Sequence, residues 1–445
     1  MGTTINRSRR LLTVTLVAVS AGIVGCRETI PTSLDDAQLP GEPLTLEIEL
    51  DWNQFGSGLE VFGGYGKPQE LGAGIIAESY AGTLSARTLV RFAQYPTKAS
   101  VVDATGTTRE DDDLTYIGGR VMAWFDSDAS TNTGPVDLVL GAVQQEWDGG
   151  TVNWSSAVDS VGVDIPWVEV GGGPVSVVDT ATWDPAEGDT ISFLVDSAQI
   201  AAWGDSSDKT RGARIELVTP GERLFMHAAF LHVTTRSSIN PDTVLILTTP
   251  ADQATFIYDH VSQPPANGVR VGGTPSWRTV LDLTMPDELT GPPELCAAAG
   301  CPFVISPQDV SFAGLSLRSR VTEDAAFQPS DSMRLDVRAV LSRDALPKSP
   351  LGESLIQNPF GTVIPGDFFG LQDGQLVEVP ITSFVRDLLS EPEPEVSGRD
   401  RPNTLALISK AEPSSFAFAS FHGPGSSMEP MLKLILTVSR PMELP

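Results

Sequence analysis

The chain is poor in cysteine, histidine and positive charge. Its 445 residues include three cysteines and four histidines, and 57 acids stand against 29 lysines and arginines. A surface with that excess of acid repels nucleic acid phosphates, which argues against DNA or RNA as a partner. The histidines are His227, His232, His260 and His422, and none of them occurs in HExxH or CxxC-type spacing. The sequence therefore predicts no metal site of a familiar kind.

Sequence motifs of known catalytic sites are also missing. There is no G-x-S-x-G nucleophile elbow, no P-loop, and no G-x-G-x-x-G after a predicted strand. A pair of carboxylates for glycoside hydrolysis carries no weight here, because 57 acids make some such pair inevitable. We expect a non-catalytic protein, with a polysaccharide-cleaving enzyme as one alternative.

Long hydrophobic runs are confined to the N-terminus. Residues 1–10 carry three arginines and no acid, and residues 11–25 form an apolar run that suits a signal peptide better than a membrane span. The run ends in "IVGC", with Gly25 directly before Cys26, and this resembles a bacterial lipobox. The resemblance implies that residues 1–25 are removed and that acyl chains on Cys26 anchor the protein in the membrane. Arg27 after the cysteine then implies the outer membrane, if the bacterium has one. A plain secretory signal and a single anchoring helix are the alternatives.

The remaining chain is rich in turns and poor in helical patterns. It contains 41 glycines and 34 prolines, and several of its segments alternate apolar and polar residues as half-buried strands do. Four of these segments, beginning at residues 85, 136, 225 and 241, recur in the same order about 190 residues further on. We therefore predict an all-β protein of two tandem antiparallel β-sandwich domains, jelly-roll-like, over residues 43–250 and 251–445, with residues 26–42 as a tether.

The first of these copies resembles a known family. "VDLVLGAVQQEWDGGTVNW" places a strand, Trp147, a turn at residues 148–150, and then Val152 and Trp154 in the order found in DNRLRE-type domains, which are disaggregatase-related β-sandwiches. The resemblance covers about residues 60–250. It implies an accessory module similar to carbohydrate-binding modules, with Trp147, Asp148 and Trp154 as the candidate sugar site. The second copy has no such tryptophan pair.

Each candidate site has a structural alternative. A tryptophan at each end of a hairpin also covers a sheet edge, so Trp147 and Trp154 are expected to pack in a core unless they stack on sugar. Asp126 and Asp128 lie in an acidic loop that could hold calcium, or be solvated. Cys296 and Cys301 are expected to form a disulfide, since an exported protein meets oxidising conditions.

These features together predict a lipid-anchored, non-catalytic protein of the cell envelope that binds extracellular or envelope polysaccharide. The main alternative is a structural or adhesive surface lipoprotein whose partners are other proteins.

Overall fold

The computed structural model describes residues 43–63, 73–160, 162–259, 264, 267–273, 276–346, 349–370, 372–390, 402–410 and 416–439. Cys26, with the predicted signal peptide and tether, lies outside the described residues. About half of the chain is β-strand and about a tenth is helix. Each strand pairing whose register the structure describes is antiparallel, and the predicted all-β fold is confirmed.

Between residues 43 and 259, the described residues form fifteen strands and two short α-helices. The strands are β1 Pro43–Leu50, β2 Gly56–Phe62, β3 Gly74–Tyr80, β4 Leu84–Phe92, β5 Ala99–Val102, β6 Thr108–Asp111, β7 Thr115–Asp126, β8 Val136–Val143, β9 Ser156–Ser160, β10 Val163–Pro166, β11 Val175–Trp183, β12 Thr190–Val195, β13 Ala213–Leu217, β14 Arg223–Arg236 and β15 Val244–Tyr258. The helices are α1 Trp52–Phe55 and α2 Ser197–Gly204.

From residue 264 onward, the part of the chain that the structure describes forms twelve strands and two more α-helices. The strands are β16 Val269–Gly272, β17 Arg278–Leu283, β18 Glu288–Leu289, β19 Phe303–Val304, β20 Val310–Arg320, β21 Met333–Val340, β22 Leu351–Ser354, β23 Thr362–Ile364, β24 Leu376–Pro380, β25 Thr404–Ser409, β26 Phe418–Phe421 and β27 Met431–Ser439. The helices are α3 Pro293–Ala299 and α4 Thr382–Leu389. Within the described residues, no helix is long and apolar enough to cross a membrane.

A nine-stranded sheet dominates the first half. Its order is β11-β8-β13-β4-β15-β14-β7-β12, and β3 pairs with both β14 and β4. Alternate residues of these strands, such as Leu138 on β8, Val121 on β7 and Phe193 on β12, meet in one buried cluster. Because strands from both ends of the sheet contribute to the same cluster, the sheet curls around its core, and its opposite face is turned away from that core.

Two six-stranded sheets make up the second half. One has the order β1-β27-β20-β26-β16, with β24 beside β20, and the other has the order β2-β17-β25-β21-β22, with β23 beside β21. The first two strands of the described chain therefore belong to sheets whose other members come from the second half. Strand β15 runs without interruption through residue 250, where the two domains were expected to join. The limits of the tandem domains stay a prediction.

The same local order of strands occurs in both halves. The neighbours β8-β13-β4 of the first half correspond to β21-β25-β17 of the second, and the repeated segments beginning at residues 85 and 136 give strands of these two sets. The segment beginning at residue 225 gives β14, which pairs with β7, and its counterpart gives β26, which pairs with β20. The segment beginning at residue 241 does not fit, because β15 pairs with β4 whereas β27 lies in a different sheet from β17. Strand β12 pairs with β7 and is followed by α2, as β24 pairs with β20 and is followed by α4. The duplication stays a prediction.

The chain divides into two compact units. Of the described residues, those within Glu47–Glu288 and Val304–Leu436 form one unit, and residues 43–46, 289–303 and 437–439 form the other. Within the larger unit, a second buried cluster joins strands of both halves, with Ile75 and Phe256 from the first half and Phe418 from the second. The two halves consequently share apolar packing and are not independent modules on a flexible linker.

Candidate functional site

The predicted sugar site at Trp147 is buried. The side chain of Trp147 is 2% exposed and belongs to a cluster with Leu89, Trp167 and Ile257, while Trp154 packs against the same cluster and is half-buried. A ring that is almost fully covered by protein offers no face to a sugar. The packing alternative for Trp147 is the one that the geometry favours.

The segment between the two tryptophans is a loop, so the expected hairpin is wrong. Strand β8 ends at Val143, and the next strand begins at Ser156. The Asp148 carboxylate accepts hydrogen bonds from the backbone N–H of Gly150 at 3.0 Å and from the Thr151 hydroxyl at 3.2 Å. Side-chain acceptors of this kind satisfy backbone donors locally and compete with strand pairing. Asp148 therefore shapes the loop.

Two arginines of β4 fix this loop to the sheet. The Arg91 guanidinium lies 4.3 Å from the centre of the Trp147 ring and donates to the Trp147 carbonyl at 3.0 Å. Arg87 lies 5.0 Å from the centre of the Trp154 ring and forms an ion pair with Glu216 at 3.1 Å. Burial lowers the pKa of both guanidinium groups from its ordinary value, chiefly by desolvation. The tryptophans and arginines thus form a structural layer on the outside of β4.

One tryptophan that the sequence analysis did not single out is exposed. All eight tryptophans lie in the described residues. Trp124 is 47% exposed, Trp154 is half-buried, and the other six are buried. Trp124 lies on β7, where Val121, Ala123 and Phe125 point into the core. The signal was present in the sequence, because Trp124 occupies the polar phase of an alternating strand.

Trp124 lies on an open sheet face made by β12, β7 and β14. We name it the Trp124 face, and it comprises the outward-pointing residues Thr190, Ser192 and Leu194 of β12, Arg120, Met122, Trp124 and Asp126 of β7, and His227, Ala228, Phe230 and His232 of β14. None of these residues is buried. The face combines an aromatic ring, apolar side chains, and polar groups of both donor and acceptor type.

His227 holds the edge of the Trp124 ring. The two rings contact each other edge-to-face with their centres 5.7 Å apart, and the His227 Nε2 lies 3.1 Å from the Asp126 carboxylate. Phe225 contacts the other side of the imidazole at 5.4 Å. Asp126 therefore fixes His227, and His227 in turn supports Trp124.

The two histidines of β14 share one face, although residues five positions apart on a regular strand point to opposite sides. A β-bulge between Met226 and Ala228 inserts His227 as an extra residue, so the inward and outward phases of the strand shift there. His232 consequently points outward and lies opposite Arg120 in the register of β14 and β7. The Arg120 guanidinium is exposed and makes no ion pair or side-chain hydrogen bond within the described residues. It is available as a donor to a ligand.

The acidic loops are used as hydrogen-bond acceptors. Asp126 accepts from the backbone N–H of Asp128 and of Ala129, both at 2.9 Å, besides its contact with His227. The described residues contain no group of three or more ligating side chains placed to hold a metal ion. Asp111, at the end of β6, is buried and accepts a hydrogen bond from the Ser237 hydroxyl at 2.6 Å. This hydrogen bond is the largest of several that hold the pKa of Asp111 well below its usual range.

Two other features involve no residue of the Trp124 face. Cys296 and Cys301 are joined by a disulfide. A cavity of about 440 Å³ is lined by Asp51, Arg318, Gly374, Ser426, Ser427, Met428, Glu429 and Met431. No aromatic ring lines this cavity, so it offers no stacking surface.

Comparison with known protein families finds no match to this chain, and a search of curated proteins finds no relative. The likeness to DNRLRE-type domains therefore rests on the motifs quoted above.

Proposed function

We propose that this is a lipid-anchored, non-catalytic protein of the cell envelope that binds polysaccharide through the Trp124 face. The exposure of Trp124 carries the proposal. An indole ring exposed on the outer face of the sheet presents an apolar surface that the C–H side of a sugar ring can cover. The other seven tryptophans are buried or half-buried, because exposing so much apolar area is unfavourable, whereas Trp124 is 47% exposed beside Met122 and Phe230.

The polar groups around Trp124 suit a hydroxyl-rich ligand. Arg120 offers N–H donors, the Asp126 carboxylate offers acceptors, and Thr190 and Ser192 offer hydroxyls on the neighbouring strand. Binding sites of this kind combine an apolar surface with a few polar groups that fix orientation. The DNRLRE-type likeness and the lipobox support the module and its anchor, respectively.

The binding test uses the full-length protein in detergent and affinity electrophoresis on gels that contain cellulose derivatives, xylan, mannan, chitosan, pectin or alginate. We expect retardation on at least one polysaccharide and its loss in the Trp124→Ala variant. Trp154→Phe is the matched control, because Trp154 lies on the structural layer beside β4, and it should migrate as the wild type does. If the wild type is not retarded on any of the gels, the proposal is wrong.

One observation favours a protein partner as the second candidate. Leu194 is 58% exposed at one border of the Trp124 face, and Ile246 of the adjacent strand β15 is 66% exposed at the other. Sugars make little use of isolated aliphatic side chains, whereas protein interfaces bury them. Mass spectrometry of the membrane form tests the anchor in either case, and a Cys26 without acyl chains in that form would contradict it.

A further inference from the structure

On both neighbouring strands, the residue directly opposite Trp124 has a short side chain. In the register of the sheet, Thr190 of β12 and Ala228 of β14 lie directly beside Trp124. Both side chains are much shorter than an indole, so on each of these sides the ring stands above its in-register neighbour. His227 contacts the ring from the bulge, and it is the one tall group next to it on β14.

The face continues along the strands beyond the ring. The next row in register is Ser192, Met122 and Phe230, and the row after it is Leu194, Arg120 and His232. Three strands span about 10 Å from the first to the third, and two steps of two residues along a strand add about 14 Å in the other direction. The surface is therefore longer than a single stacked ring requires, and donors and apolar groups occur along its whole length.

The cavity described above does not contribute to this surface. Its lining residues belong to the N-cap of α1, β20, β27 and the loops before β24 and β27, and none of them lies on β7, β12 or β14. Recognition of a chain end generally requires a concave site that encloses the terminal unit. The Trp124 face, as the register describes it, is open over Thr190 on β12 and along the strands, while His227 lies beside the ring on β14.

Resting on the polysaccharide binding proposed above, we infer that the Trp124 face binds internal segments of extended glycan chains and does not recognise a chain end. A sugar unit stacked on Trp124 leaves room for its neighbours over Thr190 and along the strands, over the row of Ser192, Met122 and Phe230. Each further unit adds contacts to the face, so affinity builds up over several units.

Oligosaccharide ladders test the inference. The full-length protein in detergent is titrated by calorimetry with cello-, xylo-, manno-, chito- and galacturonate oligosaccharides, from disaccharides to octasaccharides. For the ladder that binds, we expect affinity to rise about tenfold or more between the shortest and the longest members, equivalent to at least about 1.4 kcal/mol. Reduction of the terminal unit with borohydride should change the affinity of the longest member by less than about twofold, since the end lies outside the contact.

A side-chain wall provides the structural control. Thr190→Phe places a ring beside Trp124 on an exposed edge strand, and Thr108→Phe places the same ring on exposed β6, away from the face. We expect Thr190→Phe to lower the affinity for the longest oligosaccharide about fivefold and to leave the shortest measurable one within about twofold. Thr108→Phe should leave both unchanged. Similar melting temperatures of the two variants would show that the fold is kept.

Two outcomes overturn the inference while the proposed function stands. The first is a disaccharide that binds as tightly as the octasaccharide, and the second is the loss of binding when only the terminal unit is reduced. Binding to insoluble polymer without binding to any soluble oligosaccharide would also overturn it, because that points to recognition of many packed chains. If no glycan of any length binds, the proposed function is wrong as well, so the two failures are distinct.

Discussion

Replacing Trp147 with alanine separates the two roles that a tryptophan can have in this protein. The ring is 2% exposed, packs with Leu89 and Trp167, and lies under the Arg91 guanidinium at 4.3 Å. The substitution therefore opens a cavity between the loop at residues 144–155 and strand β4. It also removes the aromatic partner of a guanidinium that is already desolvated.

The expected loss of stability follows from the buried area. A tryptophan buries about 150–250 Å² on folding, and at about 25 cal/mol per Å² this corresponds to about 4–6 kcal/mol. Alanine retains the first carbon of the side chain and the surroundings relax in part, so measured losses for such changes are about 3–5 kcal/mol. The cation–π contact with Arg91 contributes about 0.5–2 kcal/mol and places the expectation in the upper part of that range.

Guanidinium unfolding followed by far-UV circular dichroism measures this loss. We expect Trp147→Ala to lower the free energy of unfolding by about 3–5 kcal/mol. Trp124→Ala is the matched control and should lower it by less than about 1 kcal/mol, because that ring is 47% exposed and points away from the core. The reasoning is refuted if Trp147→Ala costs less than about 1 kcal/mol and abolishes glycan binding, since a buried ring cannot do the latter while leaving the fold intact.

Three further predictions concern acid, the disulfide and the binding face. The Ser237 hydroxyl holds the pKa of Asp111 below its usual value, so ionised Asp111 stabilises the fold above about pH 3.9 and this stabilisation is lost as the pH falls below that. Asp111→Asn should be less stable than the wild type at pH 7, and the difference in free energy of unfolding between the two proteins should narrow in acid. Cys296 and Cys301 are five positions apart, and a loop that short constrains the unfolded chain little; Cys296→Ser with Cys301→Ser should cost no more than about 2 kcal/mol in the same unfolding assay, and a greater loss would contradict this. Arg120→Gln should weaken glycan binding by about fivefold at an unchanged melting temperature, and unchanged calorimetric affinity would remove Arg120 from the site.

The period-two pattern of the sequence predicted the strands well. Alternation in β8 places Leu138, Leu140 and Ala142 on one face, and all three lie in the core of the first half. Alternation in β4 predicts that one face is buried and the other exposed, but Leu89 on the opposite face is buried as well. That strand is covered on its outer side by the loop that carries Trp147, and alternation within β4 carries no information about what a distant loop will cover.

The loop itself was misjudged for a local reason. Residues 145–156 contain tryptophans and valine, which favour strands, but they also contain Asp148 and Asn153 at positions where their side chains can accept backbone N–H groups. Asn153 Oδ1 accepts from Ser155 and Ser156, both at 2.9 Å, as Asp148 accepts from Gly150. Propensity alone does not tell which of the two effects wins, and here the side-chain acceptors do.

The position of Trp124 was available in the sequence, but the face around it was not. Alternation places Trp124 opposite to Phe125, whereas the partners of β7 come from residues about 65 and 105 positions later in the chain. The bulge at His227 has no signature in "FMHAAF" that distinguishes it from a regular strand. Because the bulge determines that His227 and His232 share the face, only the three-dimensional pairing of β7 with β14 reveals the site.

The second half shows why the proposed binding belongs to the first. Strand β20 corresponds to β7, since each pairs with a strand that is followed by a short helix, and the other neighbours of β20 are β26 and β27, with β1 beside β27. There Lys433 of β27 reaches Glu47 of β1 at 3.2 Å and Glu378 of β24 at 3.6 Å. Ion pairs that are exposed to water contribute little to stability and offer no ring for stacking. If the two halves arose by duplication, the strand that carries Trp124 has a counterpart whose neighbours carry ion pairs, so we expect the proposed glycan binding in the first half alone.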